Sequence, residues 1–374
     1  MYKIMIKTGQ KHYPVYLGKG IMESVGSVVS RHLSARPVLI VCDKNVSSLY
    51  AKKCLESLRR EGFKPHLEIL EGGERGKTLE AAANLYTRAL ELGLDRHSAV
   101  IALGGGVTGD LVGFFAATYL RGLPFVQVPT TLLAMVDSSV GGKVAVNHPL
   151  GKNLIGAFHQ PALVISDIHT LETLPPREFN AGWAELIKYG VVCSKKLFKR
   201  LELLNNNLSR GRLGKGFKVI GAHKLMNLII RAVSIKGAIV CRDEKEENLR
   251  RVLNFGHTFG HALEAATHYG HYLHGEAVAG GMIMATELAL RLKQIDEPSG
   301  RRIKALLENI ERPPTPGGLT VEAVAGALSY DKKRKKEELV FVLPCRLGKA
   351  VFCKNPSFHL VEKVIEEFLP GKHS

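Results

Sequence analysis

The feature that most constrains the fold is a regular alternation of strand-like and helix-like segments over about the first 165 residues. Short apolar runs at 37–43 and 98–104 have the length and the valine and isoleucine content of buried strands. Segments at 46–62 and 78–93 carry apolar residues at helical spacing, and each ends at a glycine. Strands that alternate with helices form a parallel sheet covered by helices. The sequence therefore predicts an α/β domain built on a doubly wound parallel sheet.

The pattern changes in the second half of the chain. From about residue 179 to 292 it is mostly helical, and a loop rich in proline and glycine follows at 311–318. The segment 361–369 has the pattern of a final short helix. We therefore expect two domains, an α/β domain at 1–170 and a mainly helical domain at 171–374, which suits a chain of this length.

Three consecutive glycines, Gly104 to Gly106, follow a predicted strand and open a predicted helix. Glycine lets a ligand approach the backbone closely, and free N–H groups at a helix start bind phosphate. Asp43 ends an earlier strand, and Glu74 and Lys77 follow the strand after it. Open α/β sheets bind ligands at the carboxyl ends of their strands, so we predict a dinucleotide site here. The GxGxxG and P-loop signatures are missing, and a plain strand-to-helix turn is the alternative.

A second polar segment, at 128–161, is dense in threonine, serine, glycine, lysine and asparagine. Lys143 and Lys152 can bind phosphate oxygens as point charges. Asp137 can accept a hydrogen bond from a substrate hydroxyl or balance a lysine, and Asn153 offers a neutral donor and acceptor. The segment is a candidate for ligand contacts, and a glycine-rich structural loop is the alternative.

Two histidines four residues apart, His257 and His261, lie on one face of a predicted helix. His274 starts another apolar helix, and Glu185 lies on a helix that carries Lys188 one turn further on. One glutamate and two histidines with an open position form a known catalytic zinc site. Spacing alone does not settle which two histidines bind the metal, and packing is the alternative for each.

The charge balance favours anionic ligands. The chain has 52 Lys and Arg against 35 Asp and Glu, a formal net charge of +17. Such a balance can attract nucleic acid, acidic membranes or small anions. The chain has no zinc-finger spacing, no RRM-type aromatic motif and no long basic helix, so we expect no nucleic-acid partner. The most basic segment, 331–338, is predicted to be a solvated turn.

Membrane insertion and disulfides are not expected. The longest apolar runs are shorter than the roughly 20 residues of a membrane-spanning helix, and the N-terminal segment alternates like a strand and lacks a signal-peptide core. The six cysteines are scattered and form no CxxC pair, which indicates free thiols. We expect a cytoplasmic protein.

Five segments together resemble the 3-dehydroquinate synthase family. They are 102–110 (ALGGGVTGD), 128–161, 181–190 (AGWAELIKYG), 254–264 (NFGHTFGHALE) and 274–282 (HGEAVAGGM). The segments are long and specific, and the resemblance extends from about residue 43 to 343 in the family's order. One departure is Trp183, where the family usually has a small or aliphatic residue.

The resemblance implies a nucleotide-binding α/β domain, a helical metal domain, an active site between them and a homodimer. It implies NAD and one divalent metal ion, usually zinc, with cobalt possible. The expected reaction converts 3-deoxy-D-arabino-heptulosonate 7-phosphate into 3-dehydroquinate and phosphate. NAD would oxidise a ring carbinol transiently, phosphate would leave, and reduction, ring opening and an intramolecular aldol closure would follow.

The resemblance also assigns roles to residues. The metal ligands would be Glu185, His257 and His274, with His261 as a substrate and proton-relay residue. The other substrate or catalytic residues would be Arg121 (from the partner subunit), Asp137, Lys143, Asn153, Lys188, Lys236, Arg250, Asn254 and Lys332 or its neighbour Lys333. The NAD-binding residues would be Asp43, Gly72, Gly73, Glu74, Lys77, Gly105, Gly106, Val107, Thr108, Gly109, Asp110, Thr130, Thr131, Lys143, Lys152, Thr170, Leu171, Glu172 and Thr173.

Related activities are the alternatives. 2-Deoxy-scyllo-inosose synthase and the sedoheptulose 7-phosphate cyclases share the zinc and NAD residues but differ where the substrate carboxylate binds. Arg250, Asn254 and His261 stand here as in the dehydroquinate enzymes, which favours that substrate. A metal-dependent polyol dehydrogenase would accumulate reduced cofactor and would not need the anion-binding lysines.

Overall fold

The chain forms two compact units. The structure is a computed structural model that describes residues 1–9, 11–34, 37–206, 213, 216–335 and 338–369, and the side chains of 330–335 are outside this description. One unit contains Met1–Leu174 together with Ala222–Lys245, and the other contains Pro175–Gly221 and Glu246–Ser374. The observed division therefore differs from a single cut after residue 170, because a later segment belongs to the first unit.

The strands and helices have the following bounds. The strands are β1 (Tyr2–Lys7), β2 (His12–Gly18), β3 (Pro37–Asp43), β4 (Lys64–Leu70), β5 (Ala99–Gly104), β6 (Phe125–Pro129), β7 (Lys143–His148), β8 (Gly151–Phe158), β9 (Leu163–Asp167), β10 (Val340–Arg346) and β11 (Lys349–Lys354). The α-helices are α1 (Val25–Ser30), α2 (Lys44–Val46), α3 (Lys52–Arg60), α4 (Leu79–Glu91), α5 (Gly106–Thr118), α6 (Pro176–Cys193), α7 (Lys195–Asn206), α8 (Gly216–Ile220), α9 (Ala222–Arg242), α10 (His257–Ala266), α11 (His274–Arg291), α12 (Glu297–Glu308), α13 (Val321–Lys335) and α14 (Phe358–Phe368).

The first unit is built on a seven-stranded sheet in the order β1-β2-β9-β6-β5-β3-β4. All neighbouring pairs are parallel except β1 and β2 at one edge. Alternate side chains of β3 enter two separate apolar clusters, with Ile40 in one and Val41 in the other. Both faces of the sheet are therefore buried, as expected for a parallel sheet between helices. The predicted α/β fold is confirmed.

Helix α9 belongs to the first unit because it packs against the edge strand β1. A Cβ at Gly237 would lie 2.4 Å from Cδ1 of Ile6, so the helix backbone approaches the strand closely. The backbone N–H of Lys7 also donates to Sγ of Cys241 at 3.2 Å. Periodicity identifies this helix, but it does not reveal which apolar surface the helix covers.

The polar segment 128–161 adopts defined structure. After β6 the chain forms a π-helical turn at Ala134–Ser138 and then the antiparallel hairpin of β7 and β8. Asn147 in β7 forms a bridge with Thr78, which precedes α4. The hairpin thus fixes this polar segment beside the loop that follows β4.

In the second unit, helices α10 and α11 approach each other at the level of their backbones. A Cβ at Gly281 would lie 2.0 Å from the carbonyl oxygen of Gly256, and one at Gly260 would lie 3.1 Å from that of Ala277. A side chain at Gly281 is therefore excluded, and one at Gly260 would be tightly packed. The close approach fixes the start of α10, which carries His257, relative to α11, which starts at His274.

Two further expectations concern the second unit and the membrane. Helix α13 continues through residue 335, so the prediction of a solvated turn over 331–338 is wrong for its first five residues. Lysine and arginine are good helix formers, so a basic segment can continue a helix. Among the described residues, no helix has the length and hydropathy to span a membrane.

Candidate active site

The carboxyl ends of the parallel strands gather a polar cluster around Lys77. This lysine is only 3% exposed, and its Nζ donates to Oδ2 of Asp110 at 2.5 Å and to Oδ1 of Asn153 at 2.5 Å. Burial raises the pKa of the Asp110 carboxyl, although the charge of Lys77 opposes this shift. Three predicted site residues from distant parts of the chain are therefore joined directly.

The glycine loop between β5 and α5 leaves room for a ligand at the helix start. Gly105 is the N-cap residue, and none of the described side chains caps the helix. A Cβ at Gly105 would lie 3.1 Å from Cγ2 of Thr131, and one at Gly106 would lie 3.0 Å from Oγ of Ser138. That Oγ is buried and lacks a hydrogen-bond partner among the described residues. A pyrophosphate group can bind where backbone N–H groups at a helix start are uncapped, a buried hydroxyl is available, and glycines leave space beside the backbone.

Other predicted cofactor residues line the same edge. Asp43 accepts hydrogen bonds from the N–H groups of Asn45 and Val46 at 2.8 and 3.0 Å, and a Cβ at Gly72 would lie 3.3 Å from its Cβ. Oε1 of Glu74 accepts from Nδ2 of Asn147 at 2.7 Å. The remaining predicted residues lie on several elements: Gly73 in the loop after β4, Val107, Thr108 and Gly109 in the first turn of α5, Lys143 and Lys152 on the hairpin, Thr130 after β6, and Thr170, Leu171, Glu172 and Thr173 in and after the 3₁₀ helix that follows β9.

Asp137 and Lys236 form an ion pair within the first unit. Nζ of Lys236 donates to Oδ1 of Asp137 at 2.7 Å and to its backbone oxygen at 2.8 Å. Lys236 lies on α9 and is 6% exposed. The charge of Lys236, like that of Lys77, opposes the rise in the pKa of Asp110, because this pair lies near the Lys77 cluster.

Arg121 does not join this cluster. It lies in the connection from α5 to β6, at the amino end of β6. The Lys77 cluster lies at the other end of the parallel strands, at their carboxyl ends. Leu120 and Arg121 both have positive φ, 50° and 67°. Sterics disfavour this conformation for residues with a Cβ, so the turn presents Arg121 at the surface at a conformational cost.

The second unit brings the three predicted metal ligands together. Glu185, His257 and His274 each offer a ligand atom, and these atoms lie within 4.8 Å of one another. Oε1 of Glu185 is 4.0 Å from Nε2 of His257, and the rings of His257 and His274 have centroids 5.3 Å apart. One carboxylate and two imidazoles in this arrangement can hold a divalent transition metal with a position left open.

Both histidines have one ring nitrogen engaged. Nδ1 of His257 is 3.2 Å from the backbone oxygen of Phe255, and Nδ1 of His274 is 3.4 Å from Oε2 of Glu264. Burial, together with the charge of Lys188, lowers the pKa of His257 well below its usual value. Burial lowers that of His274 too, but the hydrogen bond and charge of Glu264 outweigh it, so its pKa is raised. A proton on each Nδ1 leaves each Nε2 able to bind a metal.

Glu185 provides the test of whether this site fits a cation. Its side chain is fully buried, and neither carboxylate oxygen accepts a well-formed hydrogen bond from the described residues. Its Oε2 forms an ion pair with Lys188, which is 2% exposed. A buried carboxylate that pairs with Lys188 but accepts no well-formed hydrogen bond from the described residues suits a further cation, and a divalent metal between it and the histidines supplies one.

Arg250 and Asn254 share a carboxylate that was not predicted. Nδ2 of Asn254 donates to Oε1 of Glu246 at 2.8 Å, and Nε of Arg250 is 3.7 Å from Oε2 of the same residue. Arg250 is 3% exposed, and Glu246 has a positive φ of 63°. Glu246 therefore holds two predicted anion-binding side chains in place.

The remaining two candidates differ in what the structure shows. His261 is exposed, and its ring lies 5.6 Å from that of His257 and 5.9 Å from that of His274. Lys332 belongs to α13, and its side chain lies outside the described residues.

Sequence reasoning missed Asn147, Glu246 and Glu264. Glu264 follows His257 and His261 at positions i+7 and i+3, so helical spacing could have placed it on their face of α10. Glu246 gives no such signal. It has a positive φ itself, and a 3₁₀ turn leads from Leu249 to Asn254, so no regular helical spacing relates the two residues.

Comparison with known families gives matches over most of the chain. The model of the 3-dehydroquinate synthase N-terminal region matches residues 67–181, and that of the C-terminal region matches residues 182–334. A 3-dehydroquinate synthase from Desulforamulus reducens is 46% identical over 356 residues, which cover 95% of this chain and 97% of that protein.

Two solved structures share the fold over nearly the whole chain. A 2-deoxy-scyllo-inosose synthase, complexed with carbaglucose-6-phosphate, NAD+ and Co2+, has a TM-score of 0.86 at 28% identity, covering 98% of this chain and 99% of the other. A 2-epi-5-epi-valiolone synthase from Streptomyces hygroscopicus, with NAD+ and Zn2+, has a TM-score of 0.85 at 28% identity, covering 95% and 96%. With both family models matched in sequence order and a relative of this similarity, the chain belongs to the 3-dehydroquinate synthase family.

Proposed function

We propose that this protein converts 3-deoxy-D-arabino-heptulosonate 7-phosphate into 3-dehydroquinate and phosphate, as a lyase with an internal redox step that regenerates NAD. The observation that carries the proposal is the buried Glu185 with His257 and His274, in a chain that belongs to this family. The related cyclases have the same fold, but the relatives with the higher sequence identity are 3-dehydroquinate synthases.

NAD and one divalent metal ion are the cofactors. The two related cyclases contain NAD+ with Co2+ or Zn2+. In this chain the glycine turn before α5 suits a pyrophosphate, and the carboxylate of Glu185 with two imidazole nitrogens suits zinc or cobalt. When bound, the metal provides a Lewis acid for substrate hydroxyls and NAD a reversible hydride acceptor.

The first unit orients the nucleotide. Lys77 is held rigidly by Asp110 and Asn153, so its ammonium group lies at a fixed point near the start of α5. Asp43 lies at the end of β3, where a carboxylate can accept hydrogen bonds from ribose hydroxyls. Lys143 and Lys152 on the hairpin contribute positive charge for phosphate oxygens.

The second unit binds the anionic substrate and moves protons. Arg250 and Asn254, oriented by Glu246, offer N–H groups to the substrate carboxylate. A metal bound at Glu185 would weaken the ion pair between Lys188 and this carboxylate. The Nζ protons of Lys188 would then be available to substrate oxygens. The exposed His261 beside the histidine pair is the proton relay. Lys332 or Lys333 completes the phosphate-binding cations.

We also propose a homodimer that acts in the cytoplasm. Arg121 lies at the sheet edge opposite the nucleotide site of its own unit, which supports its role in a partner's active site. All six cysteines are free, as is typical of a reducing compartment.

The test is phosphate release by the purified protein from 3-deoxy-D-arabino-heptulosonate 7-phosphate. We expect release that requires NAD, stops when a chelator removes the metal, returns with added zinc or cobalt, and leaves no net NADH. Release only from sedoheptulose 7-phosphate or glucose 6-phosphate would assign the chain to a sister activity. Steady accumulation of NADH with a polyol would instead support a dehydrogenase.

A further inference from the structure

We propose that Glu264 is a positioning residue that selects the tautomer of His274 and turns its Nε2 toward the metal. This inference rests on the proposed function, because it assigns a partner to one of the proposed metal ligands. Glu264 does not itself bind the ion in this proposal. It acts only through the imidazole that it contacts.

The placement of Glu264 follows from helix geometry. His257, His261 and Glu264 occupy positions i, i+4 and i+7 of one helical stripe on α10. The glycine contacts between α10 and α11 bring this stripe against the first turn of α11. Glu264 is 2% exposed, so the fold buries a carboxylate directly beside His274. Such burial is unfavourable unless the carboxylate makes strong polar contacts.

The contact joins Nδ1 of His274 and Oε2 of Glu264 at 3.4 Å. The first turn of α11 is held independently, since Oε2 of Glu276 accepts from the N–H of Leu273 at 2.8 Å. Arg177 in turn donates to both carboxylate oxygens of Glu276, at 2.5 and 2.8 Å. With the backbone fixed in this way, the orientation of the His274 ring depends on its side-chain partner.

The two proposed histidine ligands therefore have unequal support. Nδ1 of His257 faces a neutral backbone oxygen, whereas Nδ1 of His274 faces a carboxylate. A carboxylate is the stronger acceptor, and it raises the basicity of the imidazole on which it acts. We infer that His274 is the imidazole whose metal affinity depends on a neighbouring side chain.

A different arrangement of the same residues is possible on distance alone. Ligand atoms of His261, Glu264 and His274 also lie within 4.8 Å of one another. If a metal there took Nδ1 of His274, that nitrogen could no longer donate to Glu264. The Glu185 cluster offers a fully buried carboxylate that accepts no well-formed hydrogen bond from the described residues, whereas Glu264 contacts Nδ1 of His274. We therefore assign one ion, to the Glu185 cluster.

The experiment is a cobalt titration of the metal-free protein, read by visible absorption and by competition with a chelator. The variants are Glu264→Gln and Glu264→Asp. The matched control is Glu287→Gln, which removes a carboxylate from α11 that pairs with Lys304 and Arg291 away from the histidines. We expect one equivalent of cobalt in every protein, and about 10–100-fold weaker binding in Glu264→Gln. Glu264→Asp should recover part of the affinity, and the control should match the unsubstituted protein.

Three results have separate meanings. Unchanged cobalt affinity in Glu264→Gln, with the metal-free variant folded by circular dichroism, would overturn the positioning role. Two equivalents in the unsubstituted protein, the second lost in Glu264→Gln, would also overturn it and make Glu264 a ligand. If the unsubstituted protein binds no cobalt, both the proposed function and the positioning role of Glu264, which rests on it, are overturned.

Discussion

The Lys77 cluster of the first unit and the histidine cluster of the second differ in how their buried charged groups are balanced. Lys77, Asp110 and Asn153 satisfy one another through short hydrogen bonds. Glu185 is as buried as Lys77, but its oxygens accept no well-formed hydrogen bond from the described residues. A network that is complete by itself orients a ligand, whereas an incomplete one requires a ligand to balance it. The predictions below test this contrast.

The largest effect is expected from His257→Ala. Removing one of two proposed imidazole ligands should abolish stable metal binding and lower kcat/KM by on the order of 10³-fold, equivalent to about 4 kcal/mol. Metal content after dialysis and phosphate release measure both losses. A variant that retains stoichiometric zinc would show that His257 is not a ligand.

Lys188→Ala should separate chemistry from metal binding. We expect kcat to fall by about 10²–10⁴-fold, the range typical of a lost general acid or base. Metal content should remain at one equivalent, because Glu185, His257 and His274 are unchanged. Normal turnover would mean that Lys188 only neutralises Glu185.

Lys77→Met should destabilise the first unit, because it removes the ammonium group that donates to Asp110. Removing one partner of a buried pair costs about 3–5 kcal/mol, and urea unfolding measures the loss. Burial already raises the folded-state pKa of Asp110 above 3.8, and Lys77 opposes this shift. The folded variant should hold the Asp110 proton more tightly than the unfolded chain does, so its stability should fall as pH rises from about 4 through the folded pKa.

The double variant Lys77→Met, Asp110→Asn is the control for that prediction. It removes both charges, so most of the lost stability and the added pH dependence should disappear. A double variant as unstable as Lys77→Met would show that the cost comes from lost packing around the lysine stem.

Glu246→Gln is expected to have the smallest effect of the four. Gln can still accept from Asn254 but no longer attracts Arg250, so substrate binding should weaken by about 1.5–3 kcal/mol, the range for hydrogen bonds to charged groups. KM should rise more than kcat falls, and metal content should not change. Equal losses in kcat and kcat/KM would place Glu246 in the chemical step.

The parts of the molecule that follow a repeating pattern were predictable. Alternating strands and helices specified the parallel sheet, and the position of Asp43 and the glycines at strand ends specified the edge where they meet. Partnerships between distant residues were not predictable, since neither the pairing of Lys236 with Asp137 nor that of Asn254 with Glu246 leaves a periodic signal. The basic segment at 331–335 shows that charge alone does not distinguish a helix from a turn.

The path of the chain between the two units has a consequence for synthesis and for engineering. The chain passes from one unit to the other at three points, after Leu174, Gly221 and Lys245. During translation, α9 can cover the edge strand β1 only after more than two hundred further residues have been synthesised. A fragment that stops at residue 174 would expose Ile6 and the neighbouring strand surface to solvent. Separate production of the nucleotide unit would require a rejoined chain in which 222–245 follows 174 through a new linker.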